Sequence, residues 1–185
     1  MSEIELPEGS HDVAIDAGKH MGLLITISVV MLLIPLWIYN AKWGLADLWE
    51  QPVFVLVAVA IMIVLHELIH GISWMLAGGL RWQDLKFGVQ FKTLTPYCHS
   101  RVPMTAQAYR IGVVAPGIVV GLIPMIIAYL IGNAPLALIS AAMISGAAGD
   151  AYVLWVVRDV PSNSYVMDHP SKVGCVVLPD NYHHQ

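Results

Sequence analysis

Residues 52–79 read PVFVLVAVAIMIVLHELIHGISWMLAGG, an apolar run interrupted by ionisable groups only at His66, Glu67 and His70. A helix crosses the hydrocarbon core of a bilayer with roughly 20 apolar residues, and this run exceeds that length. Three other runs resemble it. Met21 to Tyr39 and Ile111 to Gly132 carry no charge, and Ala134 to Val157 carries one acid, Asp150. In hydrocarbon the backbone finds no water, so each run must satisfy its own N–H and C=O groups as a helix. The composition agrees. The chain has 185 residues, 57% hydrophobic and 12% charged, with mean hydropathy +0.69, whereas soluble domains average about a quarter charged. The expected fold is an all-α integral membrane protein of four transmembrane helices.

The expected division is an N-terminal segment 1–20, a four-helix membrane domain 21–157 and a tail 158–185. The first run begins at Met21, after a polar lead, and no small-residue cleavage pattern follows it. It therefore reads as a retained span rather than a signal peptide. The acidic lead SEIELPEGSHDVAIDAG reads as a flexible or amphipathic segment.

Basic residues set the expected orientation. Lys19, the loop residues Arg81, Lys86, Lys92, Arg101 and Arg110, and the tail residues Arg158 and Lys172 share one side; Lys42 stands alone on the other. Positive charge stays in the cytoplasm, so both termini and the 81–110 loop are expected there, in a prokaryotic cytoplasmic membrane. Cys98 and Cys175 then face a reducing compartment and are expected as two free thiols. The bilayer and a membrane-protein substrate are the expected partners. No nucleic-acid partner is expected, and the oligomeric state is open.

His66 and His70, four residues apart, share one helix face and can turn their rings toward one metal ion. Glu67 projects beside that face. This is the H-E-x-x-H arrangement: imidazoles that suit zinc, and a carboxylate placed to take a proton from water at the metal. Chance, or a structural His–Glu pair, is the bland alternative, but ionisable side chains cost a few kcal/mol each inside a span and are functional by default.

Two histidines leave tetrahedral zinc short of a protein ligand. Tyrosines aside, the ionisable residues of the four runs are His66, Glu67, His70 and Asp150. His70 lies eight residues before Gly78, and Asp150 eight before Arg158. At 1.5 Å per residue both fall about 12 Å from the same side of the membrane. The small residues of SGAAGD, 145–150, are expected to let the fourth helix approach the second closely. Asp150 is thus the expected third ligand, with a role as hydrogen-bond acceptor for a histidine the alternative. Asp47 and Glu50 fall on the opposite side. Cys98 and His99 are adjacent on the cytoplasmic loop and could fold back toward the site, but nothing beyond composition supports it. Asp159, Asp168 and His169 belong to the tail, and His183 and His184 to a solvated end.

HELIHG, then FGVQFKTLTPYCHS at 87–100, then the stretch from Ala115-Pro116-Gly117 to Gly149-Asp150, resembles a family of unknown function described as "putative zincin membrane peptidases". The HExxH motif paired with a distant intramembrane Asp also resembles the site-2 protease class. The resemblance covers roughly residues 55–160 and implies zinc held by His66, His70 and Asp150, with Glu67 catalytic. The chain departs from site-2 proteases in having Gly149-Asp150-Ala151 for Leu-Asp-Gly, and Ala115-Pro116 for the Asn-Pro of their middle helix.

Pro116 breaks a helical hydrogen bond in the third run, either opening room beside the metal or serving as an ordinary membrane-helix proline. Phe87 to Phe91 alternates as a strand does, which predicts a β-hairpin in the loop. Such a hairpin either caps the helices or offers an edge to an extended substrate. The expected function is intramembrane zinc-dependent peptide hydrolysis. Its alternatives are a non-catalytic metal-binding scaffold and, more remotely, a metal transporter, whose path would need polar residues through the whole membrane.

Overall fold

A computed structural model describes residues 8–49, 51–90, 95–169, 172–179 and 182. Helix α1 spans Met21–Trp43 and α2 spans Pro52–Gly78. Helix α3, Ala106–Pro116, runs through a wider π-turn segment, Gly117–Leu122, into α4, Ile123–Ile131. Helices α5, Ala134–Gly146, and α6, Ala148–Val156, follow. The stretches Gly18–Trp43, Pro52–Gly78, Ala106–Ile131 and Ala134–Val156 are each long and apolar enough to cross a membrane. Leu33, Trp37, Val53, Leu56, Leu76 and Leu130 all lie more than half exposed on them. Faces of that kind suit lipid rather than water.

The helix ends are written in the sequence. Gly79, at φ +70°, stops α2 in a left-handed conformation that a side chain would strain. The Thr105 hydroxyl accepts from the Ala108 amide to start α3, and Asn133 accepts from Leu136 to start α5. The third span begins at Ala106, before Arg110, because that guanidinium is absorbed as a cap. It donates to the carbonyls of Val157, Arg158 and Val160 beyond the end of α6.

The all-α expectation needs correction: the fold is mostly helical but carries two small antiparallel sheets. The predicted hairpin is present, with β2 (Leu85–Gln90) paired to β3 (Thr95–Ser100) and Phe87 opposite Cys98. The last residue of the predicted alternation, Phe91, lies outside the described residues. The second sheet was not expected. Strand β1 (His11–Ile15), β4 (Met104–Thr105), β5 (Tyr165–Asp168) and β6 (Val173–Val177) assemble in the order β1-β6-β5-β4. Residues 11–15 of the lead are therefore a strand, with His11 opposite Val177 of the tail. The physical reason is burial: Val166, Cys175 and Val177 form a hydrophobic face that packs with Trp74, Met104 and Tyr109. Both sheets adjoin the start of α1, the end of α2, the start of α3 and the end of α6, so they sit at one end of the bundle. Tyr39, Met125, Ala128 and Ala134 make a second core elsewhere among the helices.

The fourth span is broken. The chain turns at Ala147, and Asp150 falls in the first turn of α6. Helix α5 does contact α2, but Gly146 and Gly149 face open space. The tight approach instead belongs to the π-turn segment. A Cβ on Gly121 would meet Ile144 at 2.9 Å, and one on Gly117 would meet Ala147 at 3.3 Å.

Candidate metal centre

The spacing of His66 and His70 puts both rings on the inner face of α2, edge to face at 4.9 Å between centroids. Asp150 meets them from α6. The His66 Nε2 lies 3.0 Å from Asp150 Oδ2, and His70 Nε2 lies 3.4 Å from Asp150 Oδ1. The structure thus brings Asp150 to both histidines, the approach expected from the matched depths of His70 and Asp150. Glu67 joins them: one nitrogen of each histidine and a Glu67 carboxylate oxygen all lie within 4.8 Å of one another. The three donors that lie mutually within that distance are those of His66, Glu67 and His70, while Asp150 meets the two rings through two different oxygens.

The hydrogen bonding of His70 decides what the centre asks for. Its Nδ1 stands 2.8 Å from the carbonyl oxygen of Gly112 on α3. A carbonyl can only accept, so Nδ1 carries the proton. In the neutral ring Nε2 is then a bare lone pair, and it faces a carboxylate oxygen. Two acceptors in contact repel unless a proton or a metal cation lies between them. Zinc suits such a site: ligand atoms about 2.1 Å from a tetrahedral ion stand about 3.4 Å apart, close to both observed separations. A histidine whose second nitrogen is pinned to a carbonyl is the usual partner arrangement for a metal-binding imidazole.

Backbone groups and close packing build the rest, and sequence reading missed them. The third helix meets His70 through Gly112, not through Pro116, which lies just over one turn further on. Trp74, one turn beyond His70, stacks on its ring at 5.8 Å and donates from Nε1 to the Tyr109 carbonyl at 3.2 Å. A Cβ on Gly112 would lie 2.1 Å from the Trp74 ring, so only glycine leaves room. An aromatic four residues after the second histidine was the available signal. The carbonyl of Gly112 had none.

Gly71, the residue after the motif, lets the hairpin reach the site. A Cβ there would meet Leu85 at 2.8 Å and Phe87 at 2.9 Å. With the hairpin seated, the Cys98 backbone comes up beside the Glu67 carboxylate. Cys98 therefore reaches the site through its backbone, while His99 turns its ring to Asp168 at 3.4 Å. The Cys98 thiol is buried, and burial, aided by the charges of Glu67 and Asp168, pushes it up to about 12. Burial and Asp168 push Cys175 up to about 12 as well. Both thiols are free.

Of the other candidates, Asp159 pairs with Arg158 at 3.3 Å on the surface. His169 contacts Asp12 at 3.3 Å in the four-stranded sheet. The Asp47 side chain, Glu50, His183 and His184 lie outside the described residues. Ser145, ahead of the α5–α6 break, donates to the Ser28 carbonyl at 2.9 Å and ties α1 beside the site.

Comparison with known proteins adds one finding. A family model described as "Putative zincin peptidase" matches residues 59–165, which include His66, Glu67, His70 and Asp150. The chain belongs to this family. Among curated proteins and solved structures, nothing matches it.

Proposed function

We propose that the chain is an intramembrane zinc endopeptidase, in which His66, His70 and Asp150 hold the ion and Glu67 carries protons. The observation that supports it most is the forced orientation of His70. With Nδ1 committed to Gly112, its free nitrogen faces Asp150 across from His66. The choice of Asp150 over Glu67 as third ligand is supported by its direct contacts with both rings, at 3.0 and 3.4 Å, and leaves Glu67, whose carboxylate also lies within 4.8 Å of them, to carry protons.

Zinc, when bound, supplies a Lewis acid that makes water nucleophilic near neutral pH and polarises a carbonyl. The residues do the rest. Glu67 accepts the proton of the attacking water and returns one to the leaving amine. The Gly112 carbonyl and the Trp74 ring fix His70 in the tautomer that presents Nε2. The buried surroundings of His70 keep bulk water away. A helical substrate hides its carbonyls in internal hydrogen bonds, so the bond to be cut lies in an extended segment. The hairpin over Glu67 is where such a segment would lie. The likeness to site-2 proteases rests on the HExxH–Asp pairing. The orientation rests on charge: among the described residues, the end bearing both sheets carries seven of the eight basic ones, and it is assigned to the cytoplasm. Substrates are then membrane proteins cut near that face.

Glu67→Gln tests the reading. It keeps the shape of the side chain but cannot accept the proton. Zinc content should stay at the wild-type level while cleavage falls by about two to four orders of magnitude. Membrane proteins that accumulate uncleaved in cells carrying Glu67→Gln identify the substrates. If none accumulates, and Glu67→Gln reverses every phenotype of a deletion strain, the chain is a metal-binding scaffold instead.

A further inference from the structure

Asp168 lies on β5, outside the region matched by the family model, and sequence reading set it aside as tail. Its side chain is only 10% exposed. The carboxylate touches two elements that lead to the candidate centre. Oδ2 accepts from the Ser100 backbone amide of β3 at 2.9 Å and faces His99 Nδ1 at 3.4 Å. The Tyr109 hydroxyl donates to the Gly174 carbonyl of β6 at 3.3 Å, beside the Asp168 carboxylate.

Each contact continues inward. Along β3, Ser100 is two residues from Cys98, which packs with Phe87 against Gly71 of α2, next to His70, and whose backbone lies beside Glu67. Along α3, the Tyr109 ring stacks on Trp74 at 5.9 Å and 12°, and Trp74 stacks on His70. Tyr109 also lies three residues before Gly112, so its seat sets the carbonyl that pins His70 Nδ1. We infer that Asp168 is a positioning residue for the centre, tying the hairpin that carries the Cys98 amide and the helix that carries the Gly112 carbonyl to one point on the tail sheet. The inference rests on the metal reading above. Groups that orient a metal-binding imidazole from behind typically alter metal affinity by about ten- to a hundred-fold.

The test is cobalt binding by the purified, chelator-stripped full chain in detergent, read by the visible ligand-field spectrum and by titration. Asp168→Ala should weaken Co²⁺ binding by about ten- to a hundred-fold and change the spectrum. Asp168→Asn, which keeps an acceptor oxygen, should restore most of both. Asp12→Ala breaks a different contact of the same sheet, the Lys172 ion pair at 2.8 Å, and should leave the spectrum as in wild type. If Asp168→Ala does not fold, Tyr109→Phe decides: it removes the hydroxyl, keeps the stack on Trp74, and should weaken cobalt binding in the same direction. Wild-type affinity and spectrum in Asp168→Ala, or in Tyr109→Phe where that variant decides, overturn the role of Asp168. So does an equal change in Asp12→Ala. A wild-type chain that binds no cobalt overturns the metal reading itself.

Discussion

At the scale of single residues, the candidate centre sets four side chains against two backbone groups, the Gly112 carbonyl and the Cys98 amide. His66, Glu67 and His70 stand out because ionisable groups are costly in an apolar run. Asp150 stands out as the other acid at that depth. The Gly112 carbonyl and the Cys98 amide are backbone groups, and no residue type announces them. The cysteines show the same limit. Sequence gave two thiols, but their reactivity depends on burial. With both pushed up to about 12, neither should react with a maleimide at pH 7.5 until the protein unfolds. The sign follows from the raised values. The neutral thiols favour the fold fully below the ordinary pKa of 9.0, and that contribution is lost as pH climbs from there through about 12. Rapid labelling of native protein at pH 7.5 would contradict the buried placement of Cys98 and Cys175.

At the scale of elements, length and hydropathy predicted the helices, because lipid leaves the backbone no other solution. The hairpin was legible from local alternation. The four-stranded sheet was not. Strand β4 has two residues, and β1 finds its partner at the far end of the chain, where no local pattern points to it. Glycine roles were also misread from sequence. The small residues before Asp150 looked like the close contact, yet Gly71 and Gly112 are the positions where a side chain collides with the site's own scaffold. Gly71→Val should displace the hairpin and cost about 1–3 kcal/mol, the usual range for forcing atoms into a packed interface. Gly112→Ala should act through Trp74, weakening metal binding as well as lowering Tm. Thermal unfolding with and without zinc separates the two, because Gly71→Val lies on the hairpin side and leaves the Trp74 stack intact. A Gly112→Ala protein with wild-type Tm and zinc affinity would contradict the packing described.

At the scale of the whole molecule, the bundle holds its candidate centre where three spans meet, and the sheets close the same end. Orientation is testable by labelling, since the buried native thiols leave a quiet background. Cysteine introduced at exposed Ala46 should react with an impermeant maleimide from outside sealed cells, and one at exposed Asn163 should react only after permeabilisation. The reverse pattern would invert the molecule in its membrane and move the centre away from the cytoplasm.

The central claim is that one ion joins α2 to α6 through His66, His70 and Asp150. Metal content of the purified protein tests it most directly. Wild type should carry about one zinc per chain, His66→Ala and Asp150→Ala should lose most of it, and Asp159→Ala, altered at the exposed carboxylate nine residues on, should keep it. Wild-type zinc in Asp150→Ala, or none in wild type, would contradict the account.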